Sequence, residues 1–196
     1  MLLVIFCLDL DAQQISKEKV EALEAVESPQ RRTSAELLSF DALAAYEQHG
    51  IQKVKDFFDY QNIIANKEYD LVFRKHALQL ALDLFDSKKV KISIPKIQEK
   101  EIDIQTYLEN FLKHTYSKVE FEVTDIKTVA TSKIDRKNNY LNTIEYQVDV
   151  KITEGDRISA FSTTYSTDVI LNRVVKQFGE RKEEVWQVLL GTTHVK

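Results

Sequence analysis

The chain is poor in the residues from which most recognisable chemistry is built. Its 196 residues include one cysteine, four glycines, two prolines and four histidines. The cysteine, Cys7, lies in an apolar run from Leu2 to Leu8. A chain beginning near Gln13 has none, so neither disulfides nor thiolate chemistry is open to it. The glycines, at 50, 155, 179 and 191, each stand alone. Cradling a phosphate takes several glycines within a few residues, so that backbone N–H groups can approach it, and Walker and dinucleotide loops are therefore excluded. His49, His76, His114 and His194 lie far apart, with no HxH or HExxH spacing. No metal site and no cofactor is expected. There is no G-x-S-x-G elbow to expose a serine nucleophile.

Charge of one sign is also lacking. The 27 basic and 31 acidic side chains give a net charge of −4. The short basic runs Arg31-Arg32, Arg74-Lys75-His76, Lys88-Lys89 and Arg181-Lys182 are diluted by acids and read as solvated faces. Binding to nucleic acid needs a concentrated basic stripe, so nucleic acid is not an expected partner.

Long hydrophobic runs are missing too. The leader from Leu2 to Leu8 falls far short of the roughly 20 apolar residues that span a bilayer, so no integral span is expected. It does reach the lower limit of a signal h-region, and residues 1–14 read as a secretory signal without its positive n-region, cleaved near Ala12. The alternative is an N-terminal strand of the folded domain. Export implies a periplasmic or secreted protein. Bulky Phe6 before Cys7 argues against a lipid anchor.

What is present describes an ordinary globular domain, with 43% hydrophobic and 30% charged residues. Residues 15–35, rich in Glu, Lys, Ser and Gln, carrying Pro29 and with only Val20, Leu23 and Val26 at helical spacing, read as a linker or loose helix. The domain then occupies 36–196. Thr33 and Glu36 suggest a capping box for a first helix that Gly50 ends. A second helix over Ile51–Asn66 buries Val54, Phe57, Phe58 and Ile64. A third over Glu68–Phe85 buries Phe73, Ala77, Leu80, Ala81, Leu84 and Phe85. The short connection at Asn66-Lys67 makes these two antiparallel.

The period then changes. Val90, Ile92 and Ile94 alternate with polar residues in a short strand closed by Pro95, and Asp103 caps a helix burying Ile104, Tyr107, Leu108, Phe111 and Leu112. Val119, Phe121 and Val123 alternate with glutamates. Ile144, Tyr146, Val148, Val150 and Ile152 alternate without error with Glu145, Gln147, Asp149 and Lys151, which describes a sheet with one dry and one wet face. Gly155-Asp156 makes a turn, a Ser/Thr-rich strand runs to about Lys176, and Val185–Val195 supplies the last strand. The expected fold is α+β, with N-terminal helices on a strongly curved antiparallel sheet.

Candidate acid–base groups are Asp70 and His76 with Tyr60, although a spacing of six puts Asp70 and His76 on different helical faces. Read without chemistry, Asp70 belongs to a helix N-terminus and His76 to the surface. The aromatic residues Tyr60, Tyr107, Tyr146, Tyr165 and Trp186 are candidate lining for a modest pocket that holds a small apolar ligand; core packing is the alternative.

The stretches Phe57-Phe58-Asp59-Tyr60-Gln61-Asn62, Leu82-Asp83-Leu84-Phe85, Ile104-Gln105-Thr106-Tyr107-Leu108 and Val185-Trp186-Gln187-Val188-Leu189-Leu190-Gly191, in this order of elements, resemble the NTF2-like (cystatin-like) superfamily over roughly residues 50–196. Within it the chain is similar to a group of exported single-domain proteins. The resemblance implies a cone of bent sheet around a helical layer. It does not imply one function, because the superfamily hosts isomerases, dehydratases, transport factors and association modules. Members resembling ketosteroid isomerase place an acidic base and an acid or tyrosine donor in the cone. Here the best inward row carries Tyr146 but no carboxylate; Asp149 faces away, leaving Asp168 as the remaining candidate. The expected function is therefore a non-catalytic module acting through an unknown protein, a small apolar ligand or a homodimer. The competing expectation is a small isomerase or lyase using Asp70 or Asp168 with Tyr146 or Tyr60.

Overall fold

A computed structural model describes residues 38–94, 98–114 and 116–196. The expected signal, linker and Thr33–Glu36 box lie outside the described residues. From Leu38 to Lys196 the chain forms one unit, opened by helix α1 over Phe40–Ala65. Its cap is Ser39, whose side chain accepts from the Ala42 N–H. Gly50 does not end a helix, contrary to the sequence expectation. It lies inside α1, where a Cβ would meet Val169 Cγ1 at 3.1 Å and Ile144 Cδ1 at 3.2 Å. The absence of a side chain lets the helix press onto the sheet, and packing there outweighs glycine's poor helix propensity.

Helix α2 (Leu71–Leu82) follows a short turn and is capped by Asp70, whose carboxylate accepts from the Phe73 N–H at 2.8 Å. Its buried face is Arg74, Ala77, Leu78, Ala81 and Leu82. The i, i+3, i+4, i+7 stripe thus runs through Arg74 and Leu78 rather than Phe73 and Leu80, and Phe73 is exposed. Arg74 is not part of a solvated basic run. Its Nε donates to Ile64 O at 2.8 Å and its Nη2 to Phe111 O and Leu112 O at 3.3 and 3.4 Å. One guanidinium therefore satisfies the last carbonyls of two helices, where a cation also complements the dipoles.

A hairpin of β1 (Lys91–Ile94) and β2 (Gln98–Asp103) leads into α3 (Ile104–Lys113). The sequence reading missed β2, whose residues Gln98-Glu99-Lys100-Glu101 show no apolar alternation. Asp103 stands at the cap position of α3, yet its carboxylate pairs with Lys91 Nζ at 2.9 Å across the hairpin. Buried Ile104, Tyr107, Leu108 and Phe111 follow the expected stripe.

Four antiparallel strands complete the unit in the order β3 (Lys118–Ile134), β4 (Tyr140–Glu154), β5 (Arg157–Phe178), β6 (Arg181–Val195). Ile144, Tyr146, Val148, Val150 and Ile152 all point into the core, as their alternation requires. Gly155 and Gly179 open the two-residue turns after Glu154 and Phe178 with φ of 58° and 62°, the left-handed conformation that a II′ hairpin needs at its first position. Three register shifts interrupt β3 between Thr124 and Lys133, and such bulges bend an edge strand over what it covers. The fold is α+β, helices packed on a curved antiparallel meander.

The free edge of β3 is occupied at Phe121 by a side chain of α1. Asn62 on α1 donates through Nδ2 to Phe121 O at 2.9 Å and accepts from Phe121 N–H at 2.8 Å. The carboxamide thus occupies both outward backbone groups of that residue, as a neighbouring strand would.

Candidate functional site

Polar side chains converge on the inner face of the sheet. Tyr146 and Tyr165 face one another across β4 and β5, with ring centroids 5.8 Å apart and planes inclined by 23°. The Tyr146 hydroxyl shares a 2.8 Å hydrogen bond with Thr167 Oγ1, which is 2.9 Å from Thr193 Oγ1 on β6. Tyr107 approaches from α3 and meets the Gln61 carboxamide from α1. These six side chains are all fully buried. The strand parity that buries Tyr165 also buries Thr167, two residues on.

Of the five candidate lining residues, the structure brings together Tyr107, Tyr146 and Tyr165. Tyr60 and Trp186 stand elsewhere. Tyr60 is half-buried on α1, turned away from the neighbouring Gln61 by the helical step of about 100°. Trp186 lies at the opposite end of the sheet, 5.5 Å from Tyr140 and 4.7 Å from the Arg173 guanidinium carbon. Tyr140 in turn accepts from the Leu38 N–H at 3.0 Å, so that cluster ties down the entry to α1.

Gln61, Thr167 and Thr193 escaped sequence reasoning. Gln61 carried a usable signal, since it stands four residues after Phe57 and three after Phe58, a polar residue on an apolar stripe. The threonines became legible only once β5 and β6 were in register.

Burial pushes all three phenols upward from their ordinary pKa. For Tyr107 desolvation dominates and the neighbouring Tyr165 adds to it, while the bond to Gln61 opposes. For Tyr146 burial outweighs the opposing effect of the Thr167 and Thr193 hydroxyls, and for Tyr165 burial is reinforced by Tyr146. The interior thus holds neutral hydroxyls. Gln61 Oε1 and the Tyr165 hydroxyl have no hydrogen-bond partner among the described residues. Such groups can position a molecule by hydrogen bonding but cannot take a proton from it near neutral pH.

The carboxylates of the competing expectation are elsewhere. Asp70 caps α2 at the surface, and Asp168 is exposed on the outer face of β5, between inward Thr167 and Val169. His76 is exposed on α2. None of these groups meets Tyr146, which is buried against Thr167, Phe58 and Tyr165. No described residue set groups three or more His, Cys, Asp or Glu side chains as metal ligands, and no described helix is long and apolar enough to cross a membrane.

No family model matches the chain, and no curated protein matches it by sequence. Among solved structures, the β subunit of the benzoate 1,2-dioxygenase of Burkholderia mallei aligns over 79% of this chain and 92% of that chain, with 9% identity and a TM-score of 0.35. That likeness is distant and carries no inference about this chain's chemistry.

Proposed function

We propose that the chain is a non-catalytic association module of NTF2-like layout that works through protein contacts, with a second copy of itself as the first partner. The observation carrying this reading is the composition of the interior: aromatic and aliphatic side chains with neutral hydroxyls, and no carboxylate among the described residues buried there. A protein without an internal base has its outer surface to act with. There, Tyr69, Leu71, Val72 and Phe73 form a run at the start of α2 with 45, 52, 79 and 45% exposure. Consecutive exposed apolar residues of this size mark interaction sites more often than chance placement does. Tyr69 and Phe73 pack edge to face at 5.3 Å, which gives the patch a set shape. Beside it runs an open groove of about 950 Å³, lined in part by Asn62, Asn66, Tyr69 and Phe121.

Light scattering coupled to gel filtration, across a hundredfold range of concentration, tests the reading. The expected result is a mass that rises toward twice the chain mass and returns to one chain in Val72→Asp. A single-chain mass at every concentration, unaltered by the substitution, overturns self-association. The reading includes export, supported by the apolar leader. Mass spectrometry of the protein from its native host tests this: a start near Gln13 supports export and an intact Met1 overturns it.

A further inference from the structure

A second concavity lies on the other side of the sheet, away from the tyrosines. It has a volume of about 430 Å³ and is built on the outer faces of β3, β4, β5 and β6, with one wall from the segment joining α2 to β1. Such a volume falls within the range of small-molecule sites. Its floor is a bulge. β5 and β6 pair Thr167 with Thr193 and then Val169 with Leu190, so Gly191 and Thr192 together oppose the single residue Asp168. Bulges of this kind re-aim side chains and cluster beside functional sites. The two strands approach closely at Gly191, where a Cβ would stand 3.0 Å from Asp168 Cβ and crowd it.

The wall is held as firmly as the floor. The Leu190 N–H donates to Leu84 O at 2.8 Å and the Asp86 N–H donates to Leu190 O at 2.9 Å, stitching this segment to β6 as a short parallel bridge. Two carboxylates, Asp86 and Asp168, therefore line the same pocket from two anchored backbones. Neither has a hydrogen-bond or ion-pair partner among the described residues. Lys133 is the cation among the lining residues, leaving the pocket one negative charge in excess. Val90, Leu141 and Ile170 add apolar surface beside the acids.

We propose that this outer pocket binds a primary ammonium compound with a short aliphatic body. The ammonium meets Asp168 and Asp86, the aliphatic part lies on Leu141, Ile170 and Val90, and the excess negative charge rejects anions of the same shape. The site is independent of the tyrosine cluster and of the α2 patch, so its failure would leave the association reading untouched.

Titration of the full chain at pH 7, followed by the backbone amide NMR signals, tests the proposal with three probes of similar shape: isoamylamine, isoamyl alcohol and isovalerate. The expected result is saturable perturbation by isoamylamine, centred on Asp168, Gly191 and Thr192, with the alcohol and the acid at least tenfold weaker. Asp168→Asn, a change at an exposed position, should weaken the amine about tenfold, the scale of one charge-assisted contact. Asp86→Asn provides a second variant acting from the other wall. Equal binding of the alcohol or the acid, unaltered amine binding in both variants, or no saturable shift with the amine would each overturn it.

Discussion

Replacing Arg74 by methionine should be among the most damaging single changes in the helical layer. The guanidinium is buried and makes three hydrogen bonds, one to the end of α1 and two to the end of α3. Methionine keeps much of the stem's volume, so the loss isolates the polar head. Hydrogen bonds to a charged donor contribute about 1.5–3 kcal/mol each at the upper end, but non-additively, and desolvating the cation offsets part of this. Interaction with a helix C-terminus adds roughly 0.3–1 kcal/mol per helix. Taking the strong 2.8 Å bond in full and the two longer ones in part, we expect a loss of about 3 kcal/mol. Urea unfolding at pH 7 reads this as a lower midpoint at unchanged slope. In a domain of this size the melting temperature should fall by roughly 6–12 °C. Arg74→Lys should lie between the two, because it keeps the charge without the fork that reaches both helices. A methionine variant within 0.5 kcal/mol of the parent would refute the reasoning.

Three further outcomes follow from the same geometry. Asn62→Ala removes both bonds to Phe121 and frees the β3 edge at that residue; about 1–3 kcal/mol should be lost, with increased aggregation in light scattering relative to the parent. His114 donates from Nε2 to Ala65 O at 3.0 Å while its buried Nδ1 has no partner among the described residues; burial lowers its pKa, with Lys67 and Arg74 contributing, against smaller upward pulls from Ala65 O and the Tyr116 backbone. The unfolded chain then binds the proton more readily, so this contribution is complete above the unfolded value of about 6.5 and is lost as pH falls through the lower folded value. Urea midpoints at pH 7.5 and 5 should separate more in the parent than in His114→Gln, and equal separations would refute that role. Gly155→Val should cost at least about 1–2 kcal/mol, because a β-branched residue is forced to φ near 58°; an unchanged urea midpoint would count against the turn assignment.

The period of the apolar residues carried most of what could be read in advance. Nine residues of unbroken alternation from Ile144 to Ile152 oriented β4, and the stripe of Ile104, Tyr107, Leu108 and Phe111 oriented α3, because each pattern is written within one element. Gly50 misled for the opposite reason: locally it signals a helix end, and only Ile144 and Val169, roughly a hundred residues later, explain why it stands inside one. Arg74 misled in the same way. Beside Lys75 and His76 it looks solvated, and its partners at Ile64, Phe111 and Leu112 come from two other helices.

By itself, then, the sequence determined the class of fold, the buried rows of α3 and β4 and the absence of cradling loops, since these depend on residue type and local spacing. Tertiary structure alone decided the sites. Tyr107, Tyr146 and Tyr165 converge while Tyr60 and Trp186 do not, and Asp168 turns outward to share a pocket with Asp86 eighty-two positions earlier. Register, bulges and the crossing of α1 over the sheet made those choices, and each is a relation between segments far apart in the chain.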